Sequence, residues 1–181
     1  MHKSIFTVAP VVALLAGMGI AQAASNAQIT ITANVVASTC DVSLSTPNLD
    51  LGNYAAADFA AAATPVAGSV KAFTVGLSNC ETPMAAGDTA NLIVSGQTLA
   101  ANPNIFNSTG TNTGIMLSQV ATPTAYISAG DRLNVATAGA APAAGDFNGK
   151  TLSLQAALAS TSTTPDLGMV SAPILFSFSY N

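Results

Sequence analysis

Apolar and polar side chains alternate with a period of two through much of this chain. Ile29-Thr30-Ile31-Thr32 alternates, and Val35-Val36 carries the extended character toward Cys40. Val70 to Leu77, Leu92-Ile93-Val94 and Ile115-Met116-Leu117 are rich in β-branched, aromatic or long apolar residues. Thr151-Leu152-Ser153-Leu154-Gln155 alternates again, and Ile174-Leu175-Phe176-Ser177-Phe178-Ser179-Tyr180 closes the chain. A strand points successive side chains to opposite faces, so these runs predict β-strands. Gly, Pro, Asn and Ser clusters separate them, which predicts an all-β sandwich or barrel. Asn148-Gly149, ahead of the run at Thr151, predicts a type I′ hairpin turn. Ala55 to Ala63 is nearly all Ala and predicts a helical turn between strands. Ala138 to Gly145 reads as a loop. The length fits one domain, and no internal repeat is evident.

The first residues do not share this pattern. Met1-His2-Lys3 is a short basic start, Ile5 to Ile20 is almost wholly apolar, and Ala21-Gln22-Ala23 ends it. That order predicts a signal peptide over 1–23, cleaved after Ala23. The apolar stretch of 16 residues is shorter than the roughly 20 a membrane helix needs. Export to an oxidising compartment makes the cysteine pair, Cys40 and Cys80, a candidate disulfide. Its closure would contribute roughly 4 kcal/mol in the chain-entropy model. Two free thiols are the alternative.

Composition removes several functions. Only 7% of residues are charged, against about 25% in ordinary soluble domains. Four basic residues and a net charge of −4 cannot build a phosphate-neutralising patch, so nucleic acid is not expected as a partner. Two Cys and one His cannot build a structural zinc site. Cleavage would also remove His2, the only histidine, and Ser-His-Asp or Cys-His catalysis needs that imidazole. The Asp residues beside glycine, at Gly87-Asp88, Gly130-Asp131 and Gly145-Asp146, read as turn formers. No enzyme, cofactor, metal site or small-molecule substrate is expected. Asn107-Ser108-Thr109 matches a glycosylation sequon, a triplet that arises often by chance.

Both ends of the expected mature chain alternate. Ala27, Ile29, Ile31, Ala33 and Val35 share one parity at the front, and Ile174, Phe176, Phe178 and Tyr180 share one at the back. As strands of one closed sandwich, both would be ordinary half-buried elements. Together with the segment from Ile29 to Cys40, Leu77-Ser78-Asn79-Cys80 and Leu154 to Leu158, they resemble the pilin subunits of chaperone–usher fimbriae, of the type 1 kind. Tyr180 is penultimate, where that family has an aromatic, and Gly168 is fourteenth from the end, where it favours glycine. Ala33 departs from the family, which usually has glycine there.

The resemblance implies an incomplete immunoglobulin-like β-sandwich that lacks its C-terminal strand and is completed in trans by a donor strand. The implied plan is a signal peptide at 1–23, a donor-strand extension at 24–37 and a pilin domain at 38–181. It assigns Ala27, Ile29, Ile31, Ala33 and Val35 to the donor face. Gly168, Ile174, Phe176, Phe178, Tyr180 and Asn181 fall to the acceptor groove and chaperone contact, with basic chaperone residues holding the Asn181 carboxylate. The implied partners are a periplasmic pilus chaperone, an outer-membrane usher and neighbouring pilin subunits, in a homopolymer. The implied location is an extracellular, cell-surface fimbrium that supports adhesion. Three alternatives stand beside this reading: a minor adaptor pilin, a small outer-membrane β-barrel, and a secreted sugar-binding sandwich. The barrel is opposed by the missing Trp and the three Tyr, too few for aromatic girdles. In a subunit buried within a polymer, the low charge would no longer conflict with solubility.

Overall fold

The structure, a computed structural model, describes residues 39–181, and within them ten strands form two sheets. The first sheet runs in the order β1 (Asp41–Leu44), β2 (Lys71–Ser78), β9 (Thr151–Ser160), β6 (Thr113–Gln119), β5 (Asn102–Phe106) and β4 (Thr98–Leu99). A further strand, β7 (Thr122–Tyr126), pairs with β6. The second sheet runs β10 (Ile174–Tyr180), β3 (Thr89–Gly96), β8 (Arg132–Thr137). Every pairing is antiparallel.

The predicted alternation produces the core. Val75, Leu77, Leu117 and Leu154 of the first sheet pack in one cluster with Leu92, Val94, Leu133 and Phe176 of the second. Burying each such side chain contributes about 1.5–3 kcal/mol. Apolar side chains thus fill the space between the sheets, whereas a membrane barrel turns its apolar side outward. The result is the all-β sandwich that the alternation predicts.

Cys40 and Cys80 are bridged, joining the residue before β1 to the loop after β2. That loop, the start of β3 and the end of β10 share one pole of the sandwich, because Asp41 pairs Ser78 and Tyr180 pairs Ala90. We call it the cysteine pole. Ile174 pairs Gly96 and Thr113 pairs Ser160 at the opposite pole.

Two local expectations change. Asn148-Gly149 does lie in a turn, with the Lys150 N–H donating to Phe147 O at 3.1 Å. Only Gly149 has positive φ, at 77°, and a type I′ turn requires it at both central residues. Nor does the turn make a hairpin, since β9 pairs with β2 and β6 rather than with β8. The Ala-rich stretch does hold a helical turn, a 3-10 turn at Ala56–Asp58 whose Asp58 carboxylate accepts the Ala55 N–H at 2.7 Å.

Candidate functional site

The C-terminal strand is an edge. Among the described residues β10 hydrogen-bonds to β3 alone. Thr89 and Asn181 exchange both N–H···O bonds, at 2.8 and 3.1 Å. Antiparallel pairs alternate between exchanging and non-exchanging positions. Counting back through the register gives the ladder bonds to Ser179, Ser177 and Leu175. The backbone N–H and C=O groups of Ile174, Phe176, Phe178 and Tyr180 therefore point away from β3. Val94, opposite Phe176, agrees: its N–H donates to Asp131 O at 3.1 Å and its O accepts from Gly130 at 2.7 Å, both on the side away from β10.

The same four residues turn their side chains inward. Phe176 is buried in the core, with its ring 6.0 Å from that of Phe73, and Ile174, Phe178 and Tyr180 pack half-buried against the cluster. Leu175, on the other face, is 63% exposed. The parity that the sequence assigned to an acceptor face is thus one face of one edge strand.

Beside this edge lies a groove of about 1360 Å³. Leu44, at the end of β1, and residues 46–54 after it line one side, and residues 165–176 line the other. Phe73, Ile115, Leu117, Ala156 and Leu158 contribute apolar surface. Asp50 and Asp166 are the charged residues in the lining. Leu167 and Met169, along the 165–176 side, are 88% and 84% exposed.

That side is fastened rather than loose. The segment 161–173 forms a strap over the loop 107–112. The N–H groups of Asn112 and Thr111 each donate to the Asp166 carboxylate at 2.7 Å, and the Thr111 hydroxyl adds a bond at 3.1 Å. These bonds, the Asn112 one foremost, hold the Asp166 carboxyl below the usual carboxylate range. Its own N–H donates to Asn112 Oδ1 at 2.8 Å and Thr113 Oγ1 at 2.9 Å. Further along, Ser108 N–H donates to Ser171 O at 2.9 Å and Thr109 Oγ1 donates to Met169 O at 3.2 Å. Gly168 has φ of 122°, and a Cβ there would meet nothing within 4 Å. Its backbone angle, not lack of room, calls for glycine.

At the cysteine pole the end of β10 is clasped. The Tyr180 hydroxyl donates to the Asp88 carboxylate and accepts the Met84 N–H at 3.0 Å. The Tyr180 bond is the main cause that lowers the Asp88 carboxyl below its ordinary value, and Asp88 in turn raises the Tyr180 phenol. The Tyr180 ring meets Phe147 edge-on at 6.3 Å.

The donor-face residues Ala27, Ile29, Ile31, Ala33 and Val35, the signal peptide and the 24–37 extension lie outside the described residues. Of the residues expected at an acceptor groove, Gly168, Ile174 and Phe176 line the groove, whereas Phe178, Tyr180 and Asn181 continue along the β10 edge toward the cysteine pole, outside its lining. Sequence reading missed Asp166, Leu167 and Met169, and it read Asp88 only as a turn former. Asp88 does accept the Ala85 N–H at 2.6 Å, but it also holds Tyr180. The sequon residue Asn107 is buried, and its amide is spent inside: Nδ2 donates to Thr113 O, and Oδ1 accepts the Gly110 N–H at 2.9 Å.

Comparison with known proteins bears on this edge. The family described as Fimbrial protein matches residues 26–181. Among solved structures, the P pilus rod subunit PapA is similar at 18% identity and a TM-score of 0.54, over 85% of this chain and 99% of that one. A Burkholderia pseudomallei antigen and type I fimbria protein is similar at 19% identity and a TM-score of 0.45, over 78% and 94%. No curated protein sequence matches.

Proposed function

The chain belongs to the fimbrial protein family, and from that premise we propose that it is a structural subunit polymerised by donor-strand exchange into a surface fimbria. The observation that carries this reading is β10, an edge strand whose outward backbone groups and inward apolar side chains border an apolar groove. An exposed edge of that kind templates pairing with another chain. Strand addition to a sheet edge is a known recognition mode, for which chaperone–pilin complementation is a standard example.

The occupant of the groove in the fibre is the 24–37 segment of the next copy, with Ala27, Ile29, Ile31, Ala33 and Val35 turned inward. Before assembly a periplasmic chaperone fills the groove and delivers the subunit to an outer-membrane usher. The subunit performs no catalytic step and needs no cofactor. It contributes to adhesion as part of the fibre.

Ile31→Asp tests the reading. An unpaired carboxylate is costly in an apolar groove. Full-length Ile31→Asp, expressed with its chaperone and usher, should accumulate as a soluble chaperone complex and yield no fibres. Normal fibre assembly would refute the donor face.

A further inference from the structure

We propose that the strap pole of one subunit docks the cysteine pole of the next copy of this chain, with Leu167 and Met169 covered by the loop that carries Met84. The proposal rests on the donor-strand reading and adds a body-to-body contact to it.

Apolar side chains stand exposed on firm mounts at both poles. Leu167 and Met169 lie almost wholly in solvent, yet Asp166 and the Thr109–Met169 bond hold their backbone in place. At the other pole Met84 is 72% exposed, and its N–H donates to Tyr180 Oη. Leu167 and Met169 lie two residues apart on one strap, and exposed apolar groups that cluster mark interaction surfaces better than ones scattered singly.

Chain direction decides which poles meet. Residues before Thr39 join the domain next to the Cys40–Cys80 bridge, so a donor segment departs from the cysteine pole. Every strand pairing in this domain is antiparallel, and parallel pairing is slightly less stable per residue. β10 runs toward the cysteine pole, from Ile174 to Tyr180. An antiparallel guest therefore runs the other way and leaves the groove beside the strap.

The tether is short. From Val35, the last donor-face residue, to Cys40 is five residues, which span at most about 17 Å. The cysteine pole of the donor subunit is thus held against the strap pole of its acceptor. Such a contact uses two different surfaces and does not close on itself, which is the geometry of a filament. A parallel guest would leave beside Tyr180 and set two cysteine poles together, with no cysteine pole brought to the strap.

Fibres of the full-length chain carrying both Met84→Cys and Met169→Cys, treated with a short bis-maleimide, test the contact. The native disulfide does not react. The expected product is a ladder of covalent multimers, with neither single variant giving one. Dimers from Met84→Cys alone, or intact double-variant fibres with no ladder, would overturn the proposal. Unmodified fibres give a second readout by peroxide oxidation, with buried Met116 as the internal reference. Met84 and Met169 are expected to oxidise nearly as slowly as Met116, and oxidation of both at the rate of free methionine overturns the contact. Failure of the strand reading shows separately, as fibres that assemble from Ile31→Asp.

Discussion

Truncating Phe176 probes the acceptor edge most directly. Its ring is 9% exposed, sits mid-strand against Phe73 and lines the groove. Phe→Ala in a packed core costs about 3–5 kcal/mol, for lost burial and the cavity left behind. Leu175 is its neighbour on the same strand but 63% exposed, and substitutions at such sites usually stay within about 0.5 kcal/mol. The two variants therefore differ by roughly a hundredfold or more in the folded-to-unfolded ratio. A monomeric form suits the measurement: residues 24–37 are moved to follow Asn181 through a short Gly/Ser linker, so that the guest strand returns antiparallel to β10. Urea unfolding of that chain should show Phe176→Ala lowering the midpoint by about 2 M, at m-values typical of small domains. Leu175→Ala should barely move it. Because side chains alternate with period two, a register error of one residue would exchange these results. Equal losses at both positions, or a larger loss at Leu175, would refute the assignment of the inward face.

Replacing Cys40 and Cys80 together by Ser should cost about 4 kcal/mol, read as a lower urea midpoint in the same chain, with the fold retained. Asp88 and Asp166 have folded-state pKa values below the ordinary carboxylate value. The unfolded chain therefore binds protons first as pH falls, and their contribution, complete above about pH 4, is lost as pH drops through the folded-state values. Asp88→Asn and Asp166→Asn should each flatten that acid limb in thermal scans. Tyr180 is raised, so its contribution is full below about pH 10 and is lost as pH rises through the folded-state value; Tyr180→Phe should remove that alkaline loss. Asp166→Ala should free the strap, seen as new proteolytic cleavage within 161–173 while β10 stays intact.

Legibility followed the period. β10 is Ile174–Tyr180 in both sequence and structure, because one face is core and the other solvent. β9 extends five residues beyond the alternating run, to Ser160, where Ala156, Ala157 and Ala159 are buried. Both faces of this half are packed, Ala156 in the core between the sheets and Ala159 in a second cluster with Leu99, Ile105 and Met116, so the alternation fades. β5 and β7 went unread because Pro103 and Pro123 argue against a central strand. β1 and β4 are too short to show a convincing period, and β8 offers only Leu133 and Val135 at alternate positions before Ala136 breaks the pattern. The strap was illegible for another reason. Asp166 meets Thr111 across 55 residues, and a hydrogen bond between distant loops leaves no periodic trace. Gly168 drew notice through family resemblance, and its positive φ supplies the physical cause.

The scarcity of charge takes on a structural meaning once the carboxylates are followed. Asp50, Asp58, Asp131 and Asp146 each accept a nearby backbone N–H within their own turns, at 2.9, 2.7, 2.8 and 3.2 Å. Asp41 accepts from Asn79 Nδ2 at 2.8 Å beside the disulfide, Asp88 holds Tyr180, and Asp166 holds the strap. Every Asp in the chain is thus engaged in shaping a loop or fixing an edge, and the turn-forming role expected of those beside glycine is shared by Asp50 and Asp58. The chain carries few charges whose main work is to keep copies apart. A free domain with this surface and an open apolar groove would associate indiscriminately. A domain whose groove is filled by its neighbour and whose poles are stacked does not need that repulsion. On the donor-strand reading proposed above, the low charge and the edge strand have one explanation: both are tolerable in a subunit whose groove is covered first by a chaperone and then by its own kind.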